Sequence, residues 1–275
     1  MKMSATKKIP FYKIQGSGND FILMDNRRNI LKGMDLRKLA MKVCDRHYSV
    51  GADGLIVIVT SKKADFKWRF FNADGSEAEM CGNGARCAAR FAHIRKIAKK
   101  DMTFETLAGT IHGQVKKDTV TVQLTGAAGL RMNIAVPLDS GQRMGHFLNT
   151  GVPHVVYLSK DIDHEDIGRT GRATRYHDLF KPAGTNVNFV QIEGRHRIRI
   201  RTYERGVEGE TLACGTGSVA AALVAGSLGA VFSPVEVVTW GGEKLVVSFE
   251  RTENEFTRIH LEGRAEVICE GNLYL

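Results

Sequence analysis

Short apolar runs separated by polar turns make up most of this chain. Leu55-Ile56-Val57-Ile58-Val59 is continuously apolar, as a strand buried on both faces would be. Phe11–Ile14 and Phe21–Met24 are strand candidates flanking Gly16-Ser17-Gly18-Asn19-Asp20. That polar stretch reads equally as a tight turn or as a ligand loop whose Asn19 amide meets a polar group, and it is long for a bare hairpin. Lys67–Phe71 is a further strand, ending at the turn Asn72-Ala73-Asp74-Gly75. Residues 104–106, 109–113 and 119–124 read as antiparallel strands. Others are predicted at 147–158 (with a polar kink), 198–203, 235–240, 245–249, 258–263 and 265–270. In Arg195–Arg201 basic and apolar residues alternate, which predicts a strand with one basic, solvated face.

Three stretches carry a helical signature. Asp35–Arg46 places Leu36, Leu39, Ala40 and Val43 on one face behind an Asp35 N-cap. A second helix is predicted from about Gly84 to Lys99. The third lies within Leu212–Phe232, which carries no charge for 21 residues. That is long enough to span a bilayer. Its Gly, Ala and Ser content instead describes a helix buried all round by protein. Gly126–Gly145 is Gly-rich and weakly patterned and reads as the link between halves, giving a division at 1–126 and 127–262. No βαβ alternation is evident, and each half is mostly short strands with one small-residue helix. The predicted fold class is α+β: two similar halves, each a mostly antiparallel sheet around a central helix, with a cleft between them.

Two stretches repeat one arrangement. Glu77-Ala78-Glu79-Met80-Cys81-Gly82-Asn83-Gly84 and Glu210-Thr211-Leu212-Ala213-Cys214-Gly215-Thr216-Gly217 each set a carboxylate four residues before a Cys, then Gly-x-Gly, then small residues. The cysteines lie 133 residues apart, near half the chain of 275. A helix N-terminus lowers a thiol's pKa from about 8.5 toward neutrality, because unpaired N–H groups and the helix dipole favour the thiolate. Glycines let those N–H groups approach a bound carboxylate. Two such thiols, one on each side of a carbon next to that carboxylate, could remove a proton from one face and return one to the other. A single Cys before a small-residue helix is more often a packed core residue; the duplication turns the reading toward paired function.

Composition narrows the class. With 43% hydrophobic and 25% charged residues the chain reads as soluble and globular. A net charge of +9 allows an anionic partner, but the basic residues are scattered, so neither nucleic acid nor membrane is expected as a partner. Five cysteines, widely spaced and without Cys-x-x-Cys, argue against a disulfide framework or a zinc site and fit a reducing cytosol. Met1–Lys8 has charge with no apolar run behind it, so no signal peptide is expected. A lone His154 after Pro153 is, on pattern alone, structural or exposed.

These motifs resemble the diaminopimelate epimerase family over essentially the whole chain. The resemblance rests on Gly16–Phe21, Phe71–Glu77, Met80–Cys87, Tyr203–Gly206 and Glu210–Gly217. It implies a cofactor-independent, metal-free isomerase that interconverts LL- and meso-2,6-diaminoheptanedioate in lysine and cell-wall precursor synthesis. It further implies two pseudo-symmetric domains, with the last strands (about 263–275) returning to the first. Cys81 and Cys214 would be the catalytic acid and base. Gly82, Asn83, Gly215 and Thr216 would bind the reacting carboxylate. Asn19, Asn72, Asn186, Glu204 and Arg205 would bind the far amino-acid head, and His154 with Glu204 would tune the thiols. A cytoplasmic homodimer is the implied state. Val152 stands where many members have Asn, with Asn149 nearby, and Gly54 stands where many have Gln. The alternative is another two-thiol racemase of the proline or histidine type; a third is a silent binding protein of the same fold.

Overall fold

The computed structural model describes residues 7–124, 126–139, 141–252 and 255–274; Met1–Thr6, part of the stretch read for a leader, lies outside them. The chain forms two compact units, residues 1–122 with 264–275, and residues 123–263.

The first unit opens with β1 (Lys8–Gly16) and β2 (Asn19–Asp25), joined by a two-residue turn. Ser17 and Gly18 both have positive φ, at 61° and 78°, which matches the right-handed strand twist. The stretch expected to be long for a hairpin is thus a tight turn, and Asn19 is already a strand residue. Then come α1 (Leu36–Cys44), β3 (Gly54–Val59), β4 (Phe66–Asn72), α2 (Gly82–Ile94), β5 (Asp101–Thr106), β6 (Gly109–Lys116) and β7 (Thr119–Gln123). Asp35 caps α1 by accepting from Arg37 and Lys38 N–H groups, and Leu39, Ala40, Val43 and Cys44 bury its inner face.

The second unit contains β8 (Ala128–Leu138), β9 (Gly141–Asn149), β10 (Pro153–Leu158), α3 (Ile167–Arg175), β11 (Asn186–Gly194), β12 (Arg197–Glu204), β13 (Gly209–Thr211), α4 (Gly215–Ser227), β14 (Val235–Val238), β15 (Lys244–Arg251) and β16 (Phe256–Arg264). The last strand, β17 (Glu266–Tyr274), pairs antiparallel with β1 and so belongs to the first unit.

Pairing in the two units follows one scheme. β1–β2, β3–β4, β5–β6 and β6–β7 are antiparallel, while β2–β3 and β4–β5 are parallel across α1 and α2. In the second unit β9–β10, β11–β12 and β14–β15 are antiparallel, as is β15–β16. There β10–β11 and β12–β14 are parallel across α3 and α4. The sheets are mostly antiparallel, as expected, but each unit has two helices bridging parallel strands, so the second half has one helix (α3) more than expected and the reading of no βαβ alternation is corrected. α3 escaped notice because Ile-Gly-Arg-Thr-Gly-Arg-Ala-Thr-Arg lacks an apolar stripe; its buried residues are Ile167, Gly171 and Thr174.

α4 is buried on every side, which explains its uncharged sequence. Among the described residues no helix is long and apolar enough to cross a membrane. α2 ends earlier than predicted. Lys96 takes φ 54°, its N–H bonds His93 O, and Ile97 N–H bonds Ala92 O, a Schellman close. α4 closes the same way at Gly229. The expected linker, Gly126–Gly145, is instead mostly the β8–β9 hairpin. Its β8 residues are largely exposed, so no core pattern marks them.

Candidate active site: two helix starts

Cys81 is the N-cap of α2, extended at φ −148°, and its Sγ accepts the Gly84 N–H at 3.4 Å. The Gly82 and Asn83 N–H groups precede the first intrahelical bond, Ala85 N–H to Cys81 O at 2.8 Å. Asn19, at the start of β2, faces the thiol: Cys81 Sγ lies 3.7 Å from Asn19 Oδ1. The orientation of that amide is fixed, since Asn19 Nδ2 donates to the Asp53 carboxylate at 2.5 Å. Arg46 in turn bonds Asp53 and Asp20, and Lys13 pairs with Asp20 at 3.0 Å. Burial pushes the Asp20 carboxyl up, but Arg46 and Lys13 outweigh it and hold it below the usual carboxylate range. Arg86, fully buried, donates to Ser17 Oγ and to Asn83 Oδ1, tying the β1–β2 turn to α2. Asn72 lies farther along, exposed at the end of β4, its Nδ2 on Ser76 Oγ at 3.0 Å. Opposite it, Gly54 has Phe70 and the Phe71 carbonyl where a side chain would begin.

Cys214 is the N-cap of α4, buried, with Thr216 Oγ1 at 3.6 Å from its Sγ. Gly215, Thr216 and Gly217 precede the first intrahelical bond, Ser218 N–H to Cys214 O. His154 on β10 has no exposed surface; its Nε2 is 3.0 Å from Thr216 Oγ1 and its Nδ1 3.1 Å from Asn188 Nδ2. Burial pushes its pKa down to about 3, with the Arg205 charge adding to the effect. His154 is therefore buried, on the structural side of the pattern-only expectation, as a neutral imidazole in contact with the residue next-but-one to a Cys. Asn186 bridges Pro153 O and the Arg205 N–H. Arg205 reaches Ala183 O, and Glu204, half-buried, closes β12. Asn149 is occupied by the Gly151 N–H of its own turn.

The carboxylates four residues before each Cys have a bracing role. Arg69 holds Glu77 in a bidentate pair at 2.8 and 2.9 Å, and Arg201 holds Glu210 at 2.6 and 2.8 Å. The basic face predicted along β12 is accordingly ion-paired: Arg197 with Glu193 and Glu236, and Arg199 with Asp163. Sequence inspection passed over Asp53, Arg86 and Asn188. The available signal for Asn188 was the pattern Asn186-Val187-Asn188, two amides on the same side of an otherwise apolar strand.

Among the described residues no group of three or more His, Cys, Asp or Glu side chains could hold a metal. None of the five cysteines is in a disulfide; burial pushes the Cys44 thiol up to about 12, so that residue is inert packing.

The fold is shared with solved proteins of low sequence identity. A phenazine biosynthesis protein of the PhzF family from Bacillus anthracis superposes with a TM-score of 0.75 at 17% identity, covering 98% of this chain and 100% of that one. A hydroxyproline epimerase from Agrobacterium vitis superposes at 0.74 with 13% identity, covering 99% and 94%. The two repeated α+β units of this chain, each with a cysteine capping its second helix, thus have the fold of these solved proteins.

Sequence comparison is more specific. The diaminopimelate epimerase family profile matches residues 11–130 and 146–268. The diaminopimelate epimerase of Hydrogenobaculum sp. (strain Y04AAS1) is 48% identical over 273 residues, covering 95% of this chain and 97% of that protein. The one from Aquifex aeolicus is 46% identical over 274 residues, covering 96% and 97%. The chain belongs to the diaminopimelate epimerase family and is an isomerase.

Proposed function

We propose that this protein interconverts LL- and meso-2,6-diaminoheptanedioate by proton transfer between Cys81, Cys214 and one substrate α-carbon. The observation carrying this reading is the pair of cysteines that cap equivalent helices in the two repeats. Epimerisation needs a base on one face of the α-carbon and an acid on the other. A thiolate takes the α-proton; the electron pair left behind spreads into the adjacent carboxylate; a thiol then delivers a proton to the opposite face, leaving the two sulfurs with exchanged roles. Positioned acid–base groups contribute about 10²–10⁴-fold. The α-proton is much less acidic than a thiol, so the carbanion needs more. The leading N–H groups at Gly82, Asn83, Gly215 and Thr216 would supply it by receiving the charge that develops on the carboxylate.

The neighbours of the two sulfurs support an unequal resting state. Asn19 Oδ1 can only accept, so it favours Cys81 as thiol, in opposition to the Gly84 N–H that donates to the same sulfur. Cys214 lies beside the Thr216 hydroxyl, which can donate, so the thiolate is favoured there. Asn72, Asn186, Glu204 and Arg205 are the residues for the far amino-acid head, and Arg205 supplies the cation for its carboxylate. The same reading takes the protein as a cytoplasmic homodimer.

Incubation of the reduced protein with LL-diaminopimelate in D₂O, without added pyridoxal phosphate, tests this. The expected product is the meso isomer carrying deuterium at one α-carbon. Cys81→Ala or Cys214→Ala should each lower turnover by about 10³-fold or more. Full turnover in either variant would sink the two-thiol route. Exchange with proline or histidine in place of diaminopimelate would move the substrate to the alternative racemases.

A further inference from the structure

We infer that Asn188 is a positioning residue, which fixes the tautomer of His154 and through Thr216 directs a hydroxyl proton at Cys214. The inference rests on the two-thiol reading above but is separable from it.

The argument starts at a backbone carbonyl. Val155 O can only accept a hydrogen bond, and the Asn188 side-chain atom 3.1 Å from it must therefore be the amide nitrogen. Asn188 Oδ1 is then the atom that accepts from Thr202 Oγ1 at 3.0 Å. The second proton on Nδ2 points at His154 Nδ1, 3.1 Å away, so Nδ1 has to be the acceptor. An imidazole that accepts at Nδ1 carries its proton on Nε2. That N–H donates to Thr216 Oγ1 at 3.0 Å. With its oxygen already accepting from histidine, the Thr216 hydroxyl is turned to donate, and Cys214 Sγ stands 3.6 Å from it. Every link from Val155 O to Thr216 Oγ1 thus has one sense, and the hydroxyl proton is left for the sulfur.

Burial closes off the other arrangements. Asn188 and His154 have no exposed surface and Thr202 has 2%, so solvent does not replace these partners. A protonated His154 would set an Nδ1 proton against the Asn188 amide protons. The neighbouring strands carry few titratable groups toward this end: His146 on β9, whose Nδ1 accepts the Asn133 N–H, and Glu204 and Arg205 closing β12. Of these, Arg205 bears on His154 and disfavours its charged form. The close fit is also visible at Gly217, where a Cβ would collide with Asn188 Oδ1.

The test reads protons directly. In the full-length protein labelled with ¹⁵N-histidine, His154 should give an unprotonated Nδ1 and a protonated Nε2 at pH 7; an Nδ1–H tautomer or an imidazolium overturns the inference without any variant. With ¹³Cβ-cysteine, Asn188→Leu should raise the thiol titration midpoint of Cys214 by about one pH unit, roughly a tenfold loss of thiolate, and leave Cys81 in place. Its kcat should fall about tenfold with KM little changed, and the acid limb of the rate profile should move up with the Cys214 midpoint. Thr202→Val, which loosens Asn188 without removing it, should move both in the same direction by less. An unchanged Cys214 midpoint in Asn188→Leu, or an equal shift at both cysteines, overturns the inference. These spectra need no substrate, so failure of diaminopimelate as the substrate and failure of the Asn188 assignment give different results.

Discussion

Phe21 and Ile56 pack against the first turn of α2, and His154 and Asn188 stand at the same places against the first turn of α4. The strand register makes the pairs equivalent: Phe21 lies opposite Gly54 and two residues before the pair Leu23–Ile56, while His154 lies opposite Asn186 and two residues before the pair Val156–Asn188. The backbone frame around the two sulfurs is held in common. Each Cys is an extended N-cap, each upstream Glu is clamped by an Arg on the preceding long strand, and each helix closes with a Schellman bond. The repeat therefore decides where each thiol sits. Two strand positions, outside the Cys motifs, decide whether the floor beneath each helix start is apolar or hydrogen-bonded. Similar motifs can in this way be biased toward different protonation states by what lies beneath them.

The largest expected break in the comparison is with acid. Burial, with Arg205, pushes His154 down to about 3, whereas an unfolded His titrates near 6.5. The unfolded chain then binds a proton over this window that the folded one does not. Stability should be full above about pH 6.5 and fall at roughly 1.4 kcal/mol per pH unit as pH drops toward 3. His146, also lowered by burial, adds with the same sign. Denaturant midpoints at pH 7 and pH 5 check this, and His154→Phe, which copies the first unit, should flatten the dependence. An unchanged slope would remove His154 as its source.

Glycine substitutions sharpen the same contrast. In Gly217→Ala the new methyl meets the Asn188 oxygen and lies 3.2 Å from Cys214 Sγ. In Gly84→Ala it meets the movable end of Ile56 at 3.3 Å. Overpacking costs about 1–3 kcal/mol, and the upper part of that range is expected for Gly217 and the lower end or less for Gly84. Equal losses in thermal unfolding would mean that the two floors are equally rigid. The smallest effect concerns the helix ends. Lys96 holds the left-handed position that glycine takes in α4; Lys96→Gly should gain up to about 1 kcal/mol, read as a rise in Tm, with no change in cysteine titration.

Much of this was legible in the chain. The helix starts at Cys81 and Cys214, the Asp35 cap and the continuous burial of Leu55–Ile58 follow from local residue chemistry, and local chemistry is what a sequence displays. α3 was not legible, because its burial rests on Gly171 packing against Tyr203, a contact between distant residues. The β8–β9 hairpin was missed for the opposite reason: backbone pairing holds a largely exposed strand in place, and hydrophobic spacing leaves no trace of it. Asp53, Asn188 and Thr202 act through partners far along the chain. Only the fold brings the Asp53 carboxylate to Asn19.

The pairing of β17 with β1 sets an order of events during synthesis. Residues 8–16 leave the ribosome about 250 residues ahead of their partner, residues 266–274. At about 5–20 residues per second, β1 waits on the order of 10–50 s with one edge open. Over the same interval the second unit, continuous in sequence, receives all of its strands. The usual N-to-C sequence of domain completion is therefore reversed here. Until the final strand arrives, the outer edge of β1 is a template for any extended segment nearby, which makes the nascent first unit the part of the molecule most in need of a chaperone's cover.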